Sequence, residues 1–183
     1  MEHAKVKGYT IDDVMALPDG KRAEVIDGEW FDMAAPGSIH QMMLMAVARE
    51  LSNHIRGNNG ECLVMPAPFA VFLNDDDYNY LEPDVSVICD RDKIDDKGCH
   101  GAPDLVVEII SPSTKRRDYG IKLFKYRTAG VREYWIINPE TRTVNTYTFP
   151  VGDEEETGDQ VSFDEVISCG LFPDLKLVIS EQI

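Results

Sequence analysis

Long apolar runs are missing from this sequence of 183 residues. The longest apolar stretches, such as residues 42–48, fall far short of the roughly 20 residues that a membrane-spanning helix needs. The first residues also lack the apolar stretch of a secretory signal. We therefore expect a cytoplasmic protein with no membrane span. Its length suits one domain, which we expect over residues 1–183.

Closely spaced cysteine pairs are also absent. The chain has four cysteines, at Cys62, Cys89, Cys99 and Cys169, and no C-x-x-C motif. This pattern predicts free, mostly buried thiols in a reduced compartment. An alternative is a zinc site around Cys89, Cys99 and His100, although these residues lack the paired spacing typical of structural zinc.

Positive charge is scarce. Lysine and arginine number 18 against 33 acids, so the formal net charge is -15. This balance argues against nucleic-acid binding over most of the surface, because Lys and Arg provide the affinity for phosphate. One basic segment stands out, Lys115, Arg116 and Arg117, and Lys122 follows shortly after it. We expect any contact with a DNA backbone there.

The motifs of several other enzyme classes are absent. There is no P-loop, no dinucleotide fingerprint and no G-x-S-x-G nucleophile motif. Ser111, Ser113 and Thr114 therefore predict a turn and a helix N-cap rather than a nucleophile.

Hydrophobic periodicity and turn residues predict alternating helices and strands. This order indicates an α/β (α+β) protein with a mixed β-sheet flanked by helices. The predicted elements are a short capped helix near residues 10–18, a hairpin over 22–34, helices over 38–55 and 115–129, and strands over 62–73, 81–89, 104–111, 133–138 and 143–149.

The segment 104–111 is the most informative predicted strand. Its residues are apolar on both faces, which is typical of a central, buried strand. Glu108 lies in the middle of it, and a buried carboxylate is costly unless it is paired or binds a metal. The alternative is a structural acid held by an arginine or by backbone amides.

Asp84 is the candidate partner of Glu108. It begins the preceding strand, so the two carboxylates can converge on one cation if these strands pair. Two carboxylates with water suit Mg²⁺. Asp104 is less suitable, because it lies about 13 Å from Glu108 along an extended strand.

Lys122 is the candidate cation of the site. On a helical wheel with Tyr119 at zero, Leu123 falls near roughly 40 degrees, Tyr126 near 340 and Lys122 near 300. Lys122 therefore borders the apolar stripe and can direct its ammonium group along the sheet. The alternative is an ordinary solvated lysine.

Together these residues resemble the Uma2 restriction-endonuclease family of the PD-(D/E)XK nuclease superfamily. The resemblance spans nearly the whole chain. It is carried by residues 24–29, His40, Glu82-Pro83-Asp84, residues 103–114, Asp118, Lys122, Tyr126, Gly130-Val131, Glu133-Tyr134-Trp135, Pro139 and residues 171–175.

The resemblance implies a restriction-endonuclease-like fold, Mg²⁺- or Mn²⁺-dependent hydrolysis of DNA and a homodimer. The family's motif acids fall on Asp84 and Glu108. Ile110 occupies the usual lysine position of the superfamily, so the resemblance points to Lys122 instead. The roles of His40, Asp118 and Tyr126 stay open.

The rival hypothesis is a non-catalytic protein that keeps the nuclease fold for association. A third hypothesis is a metal-dependent hydrolase of small phosphoesters.

Overall fold

The computed structural model describes residues 8–74, 76–149 and 156–183. No helix in these ranges is long and apolar enough to cross a membrane. The elements are α1 (Ile11–Met15), β1 (Arg22–Ile26), β2 (Glu29–Met33), α2 (Ser38–Gly57), β3 (Leu63–Pro66), β4 (Val71–Phe72), β5 (Tyr80–Leu81), β6 (Val85–Ile88), β7 (Cys99–His100), β8 (Leu105–Ile109), α3 (Lys115–Arg117), a π-helical turn (Asp118–Lys122), α4 (Leu123–Ala129), β9 (Glu133–Asn138), β10 (Thr143–Thr148) and β11 (Thr157–Ser162), with short 3₁₀ turns at Arg91–Lys93 and Ile179–Glu181.

The larger sheet has six strands in the order β11-β10-β9-β8-β6-β3. β8 pairs in parallel with β9 and antiparallel with β6, and all five of its residues are buried. The predicted central strand is therefore present. It carries Glu108 into the interior of the protein.

The two faces of β8 pack against different elements. Leu105, Val107 and Ile109 join a core cluster with residues of α2 and of the C-terminal segment. Val106 and Ile110 join a second cluster on the opposite face, which includes Tyr126. Because side chains alternate along a strand, Glu108 lies on this second face.

The smaller sheet has the order β2-β1-β5-β4-β7 and contains the predicted hairpin as β1 and β2. The prediction of two long continuous strands is wrong, because each segment is divided between the two sheets. Residues 62–73 become β3 and β4, with Pro66 and Pro68 at the break, and residues 81–89 are divided at Pro83. Proline cannot donate to a strand ladder, which explains both divisions.

β11 was not predicted from the sequence. Its residues, Thr157 to Ser162, are mostly exposed and lack apolar alternation, since the strand lies at the edge of the sheet. The C-terminal segment docks on the body as predicted, and Leu175 and Leu177 are buried.

Residues 115–129 form one continuous helical segment, called the site helix below. Its middle turn, Asp118–Lys122, is π-helical, and its end is capped by Gly130 at a φ of 94°. A π turn carries more residues than an α turn and so changes which side chains face inward. Lys122 is consequently buried, with 2% exposure, rather than at the border of the apolar stripe.

Two of the four cysteines are paired. Cys62 and Cys89 lie at the next opposed position beyond the register pair Leu63–Ile88 of β3 and β6, and they form a disulfide. The prediction of free thiols is therefore wrong for this pair and correct for Cys99 and Cys169, which are free and buried. The zinc alternative is also wrong, because Cys89 is in the disulfide. The sequence did not reveal the pair, since it depends on strand register.

We expect a thiol titration to distinguish these cysteines. Burial raises the pKa of the Cys99 thiol to about 11 and that of Cys169 to about 12, so neither reacts readily in the folded protein. A thiol reagent at pH 8 should detect almost no thiol in the native chain, two after unfolding without reductant and four after unfolding with reductant. Four thiols without reductant would contradict the disulfide.

Candidate active site

Asp84 and Glu108 lie opposite each other on neighbouring strands. The register Val85–Val107 of β6 and β8 continues one step to Asp84 and Glu108. Opposed positions of an antiparallel pair hold their Cβ atoms about 5 Å apart. Asp84 is held in place because its Oδ2 accepts a hydrogen bond from the Ile109 amide at 2.7 Å.

Asp104 lies at the other end of β8. Its carboxylate accepts a hydrogen bond from the Cys89 amide at 2.8 Å and pairs with Arg132 at 3.4 Å. It is thus a structural acid, and Asp84 is the carboxylate that faces Glu108.

Lys122 reaches this site from the π turn of the site helix. Its Nζ donates to Glu108 Oε1 and to Glu24 Oε1, both at 2.8 Å, and lies 3.8 Å from Asp118 Oδ1. These acids come from β8, β1 and the helix itself. The ammonium group is therefore enclosed by carboxylates from both sheets.

Burial and charge together set the protonation of this cluster. Burial raises the pKa of Glu108 to about 8, with Asp118 and Asp84 adding to the rise and Lys122 opposing it. Burial alone would lower the pKa of Lys122, but Glu108, Glu24 and Asp118 outweigh it and raise that pKa. Lys122 therefore stays cationic beside these acids, and burial among other acids raises the pKa of Glu108 above its usual value.

Two further side chains fix the carboxylates of the cluster. The Tyr126 hydroxyl donates to Glu108 Oε1 at 2.8 Å. Arg117 lies 3.4 Å from Glu24 Oε2 and stacks over the Phe31 ring, 4.9 Å from its centroid. Tyr126 thus orients Glu108 from the site helix, and Arg117 places a positive charge beside the second oxygen of Glu24.

His40 approaches Asp84 from the first turn of α2. Its Nε2 lies 3.2 Å from Asp84 Oδ2. Burial lowers the pKa of His40, but the contacts with Asp84 and with the Ile109 backbone outweigh it and leave that pKa raised. His40 therefore helps to fix the carboxylate of Asp84.

The site opens into a cleft of about 830 Å³, and its lining includes Glu24, His40, Asp84, Glu108, Arg117, Asp118 and Lys122. Of the predicted DNA-contacting residues, Lys115 and Arg117 line it, whereas Arg116 is exposed outside its lining. Arg117 is already engaged by Glu24. Acids outnumber cations in the lining, with Glu24, Asp32, Glu82, Asp84, Glu108, Asp118 and Glu140 against Arg22, Lys115, Arg117 and Lys122.

The cleft suits a hydrated cation better than an enclosed one. Across residues 8–74, 76–149 and 156–183, no group of three or more His, Cys, Asp or Glu is arranged to hold a metal ion. Mg²⁺, however, is commonly bound through one or two carboxylates and several waters. Asp84 and Glu108 occupy opposed register positions at the cleft and are two such carboxylates.

Glu24 and Arg117 belong to the ion cluster, although neither was predicted to do so. A signal for Glu24 was available, because it lies between Ala23 and Val25 inside a predicted strand, and both neighbours are fully buried. A buried carboxylate in such a position needs a cation or a hydrogen-bond donor beside it. The partner itself could not be identified, because Lys122 lies 98 residues away.

We expect Lys122→Met to destabilise the protein by about 3–5 kcal/mol, since removing one member of a buried ion pair leaves uncompensated charge. Urea unfolding provides the measurement. Lys125→Met is the matched control on the same helix, because Lys125 pairs with the largely exposed Asp27 and such a pair is worth about 0–1 kcal/mol. Equal losses for the two variants would contradict the buried cluster.

Comparisons with known proteins agree with this fold. The sequence model of the Uma2 family, described as "Putative restriction endonuclease", matches residues 11–180. An uncharacterised protein from Synechocystis sp. is 27% identical over 128 residues, which make up 69% of this chain and 66% of that protein, just under two thirds of its length.

A solved structure adds to this. The crystal structure of a "putative nuclease belonging to DUF820" from Anabaena variabilis is similar with a TM-score of 0.73, at 19% sequence identity, and covers 94% of this chain and 96% of that chain. This likeness confirms the predicted mixed α+β fold. Since the family match extends over nearly the whole chain, the protein belongs to the Uma2 family of restriction-endonuclease-like proteins.

Proposed function

We propose that this protein is a metal-dependent endonuclease that hydrolyses DNA phosphodiester bonds. One observation carries the proposal: two opposed carboxylates, Asp84 and Glu108, share a cleft with the buried ammonium group of Lys122. The family and the structural neighbour support a nuclease-like function. Metal dependence and the DNA substrate are part of the proposal.

Asp84 and Glu108 would hold Mg²⁺ or Mn²⁺. Bound there, the ion would supply Lewis-acid activation of water and neutralise charge on the phosphate. Lys122 supplies a fixed positive charge near the attacking water and the scissile phosphate. His40 and Tyr126 keep the two carboxylates oriented through their contacts at 3.2 and 2.8 Å.

DNA would meet the cleft through its backbone phosphates. Lys115 is exposed at the cleft and free to make such a contact, and Arg116 lies next to it. Arg117 contributes less, because its guanidinium is held by Glu24 and Phe31. The excess of acids in the lining makes a neutralising cation a requirement for phosphate approach.

A second candidate function is association without catalysis. It is favoured by the engagement of Lys122 with both Glu24 and Glu108, and by the acidic cleft. In that case the ion cluster would be a structural link between the sheets. The small-phosphoester hypothesis has no separate observation in its favour.

We further propose a cytoplasmic homodimer. The exposed apolar side chains Ile39, Met42 and Met45 of α2 offer a surface for self-association.

Plasmid nicking tests the catalytic proposal. With Mg²⁺, the wild type should nick supercoiled DNA, and EDTA should abolish the reaction. Glu108→Gln and Asp84→Asn should each reduce the rate by on the order of 10²-fold or more, because each removes a charge that acts at the transition state. Asp104→Asn is the matched control, since Asp104 adjoins the same strand but does not line the cleft. Nicking that is equal in all four proteins would point to a contaminant and reject this site.

DNA binding can be tested separately, in Ca²⁺ without turnover. Lys115→Ala should weaken binding to all sequences and reduce the slope of log K against log salt by about 0.9, as expected for one lost phosphate contact. Lys176→Ala is the control, because Lys176 is exposed and does not line the cleft. If neither substitution changes the slope, DNA does not use this rim, and the association function gains support.

A further inference from the structure

We propose that Glu24 is a positioning residue that holds the Lys122 ammonium group so that Glu108 is free to bind the metal ion. This inference rests on the proposed metal site at Asp84 and Glu108. It assigns a function to a side chain that is fully buried, with 0% exposure, and that belongs to the smaller sheet, whereas Glu108 belongs to the larger one.

Glu24 has partners besides Lys122 that keep its carboxylate in place. Its Oε1 accepts hydrogen bonds from Lys122 Nζ at 2.8 Å and from the Glu82 amide at 3.1 Å. Its Oε2 faces the Arg117 guanidinium at 3.4 Å. Oε1 is therefore oriented by Lys122 and the Glu82 amide, whereas Oε2 forms the ion pair with Arg117 and accepts no hydrogen bond from the described residues.

Lys122 divides its hydrogen bonds evenly between two acids. The Nζ–Oε1 distance is 2.8 Å to Glu24 and 2.8 Å to Glu108. A cation bound by Glu108 would compete with Lys122 for that carboxylate. Since Glu24 is anchored to the smaller sheet, it can keep the ammonium group in place when Glu108 turns to the cation.

The sign of the coupling follows from this arrangement. Without the charge of Glu24, Glu108 becomes the main partner of Lys122, the two bind each other more tightly, and Glu108 is less available to a metal ion. Removing the negative charge of Glu24 should therefore weaken metal binding, even though Glu24 is not a ligand of the metal ion. A purely structural Glu24 would lower stability and leave metal affinity unchanged.

Isothermal titration of Mn²⁺ into the full chain tests the proposal. Glu24→Gln keeps the size and the acceptor oxygen but removes the charge, and it should weaken Mn²⁺ binding by about tenfold, within the usual range of coupling between sites. Glu140→Gln is the matched control, because Glu140 is an exposed acid that lines the same cleft without contacting Lys122. It should bind Mn²⁺ as the wild type does.

A folded Glu24→Gln protein with wild-type Mn²⁺ affinity would overturn the proposal, as would an equal loss in Glu140→Gln. If circular dichroism shows that Glu24→Gln does not fold, Glu24→Asp replaces it. That variant keeps the charge but shortens the reach to Lys122, and it should also bind Mn²⁺ more weakly; unchanged affinity overturns the proposal.

The double variant Glu24→Gln/Lys122→Met adds a readout that a structural role would not give. If Glu24 acts through Lys122, the second substitution should remove the effect, and the double variant should bind Mn²⁺ like Lys122→Met alone. Additive losses would contradict the proposal. Binding is measured without turnover, so a wild type that binds Mn²⁺ but does not nick DNA would reject the endonuclease function and leave this inference standing.

Discussion

The structure depends on one buried ammonium group. Lys122 has 2% exposure and takes its partners from β8 of the larger sheet and β1 of the smaller one. An ion in the interior is costly unless its charge is compensated, so these elements must meet with their acids correctly placed. The ion pairs of Lys122 with Glu24 and Glu108 compensate its charge, and the same three residues line the cleft. Fold and candidate site therefore share a single set of interactions.

The sequence was sufficient where the pattern is local. The run around Glu108 has apolar neighbours on both sides, which identified a central strand, and the register with β6 brings Asp84 opposite it. Strand alternation has a period of two, so the face of Glu108 could be inferred from its position alone. The association of Lys122 with this face also agreed with the helical wheel, although its depth of burial did not.

The sequence was insufficient where the outcome depends on tertiary packing. The ion pair of Glu24 and Lys122 joins residues 98 positions apart, and no local pattern specifies it. The π turn that directs Lys122 inward departs from the regular spacing that the wheel assumes. Residues 62–73 have a continuous apolar pattern, which predicts one strand. The prolines within this segment end the first strand, and the rest of it joins the other sheet.

The link between Cys62 and Cys89 has a consequence for the unfolded chain. The two cysteines are 27 residues apart, and the loop that they close contains Asp84 together with β4 and β5 of the smaller sheet. Such a closure removes conformational freedom worth about 3–4 kcal/mol from the denatured ensemble. While the link is intact, one motif acid and the middle strands of the second sheet stay tethered to the edge of the first, so the oxidised chain begins folding with part of its topology already restricted.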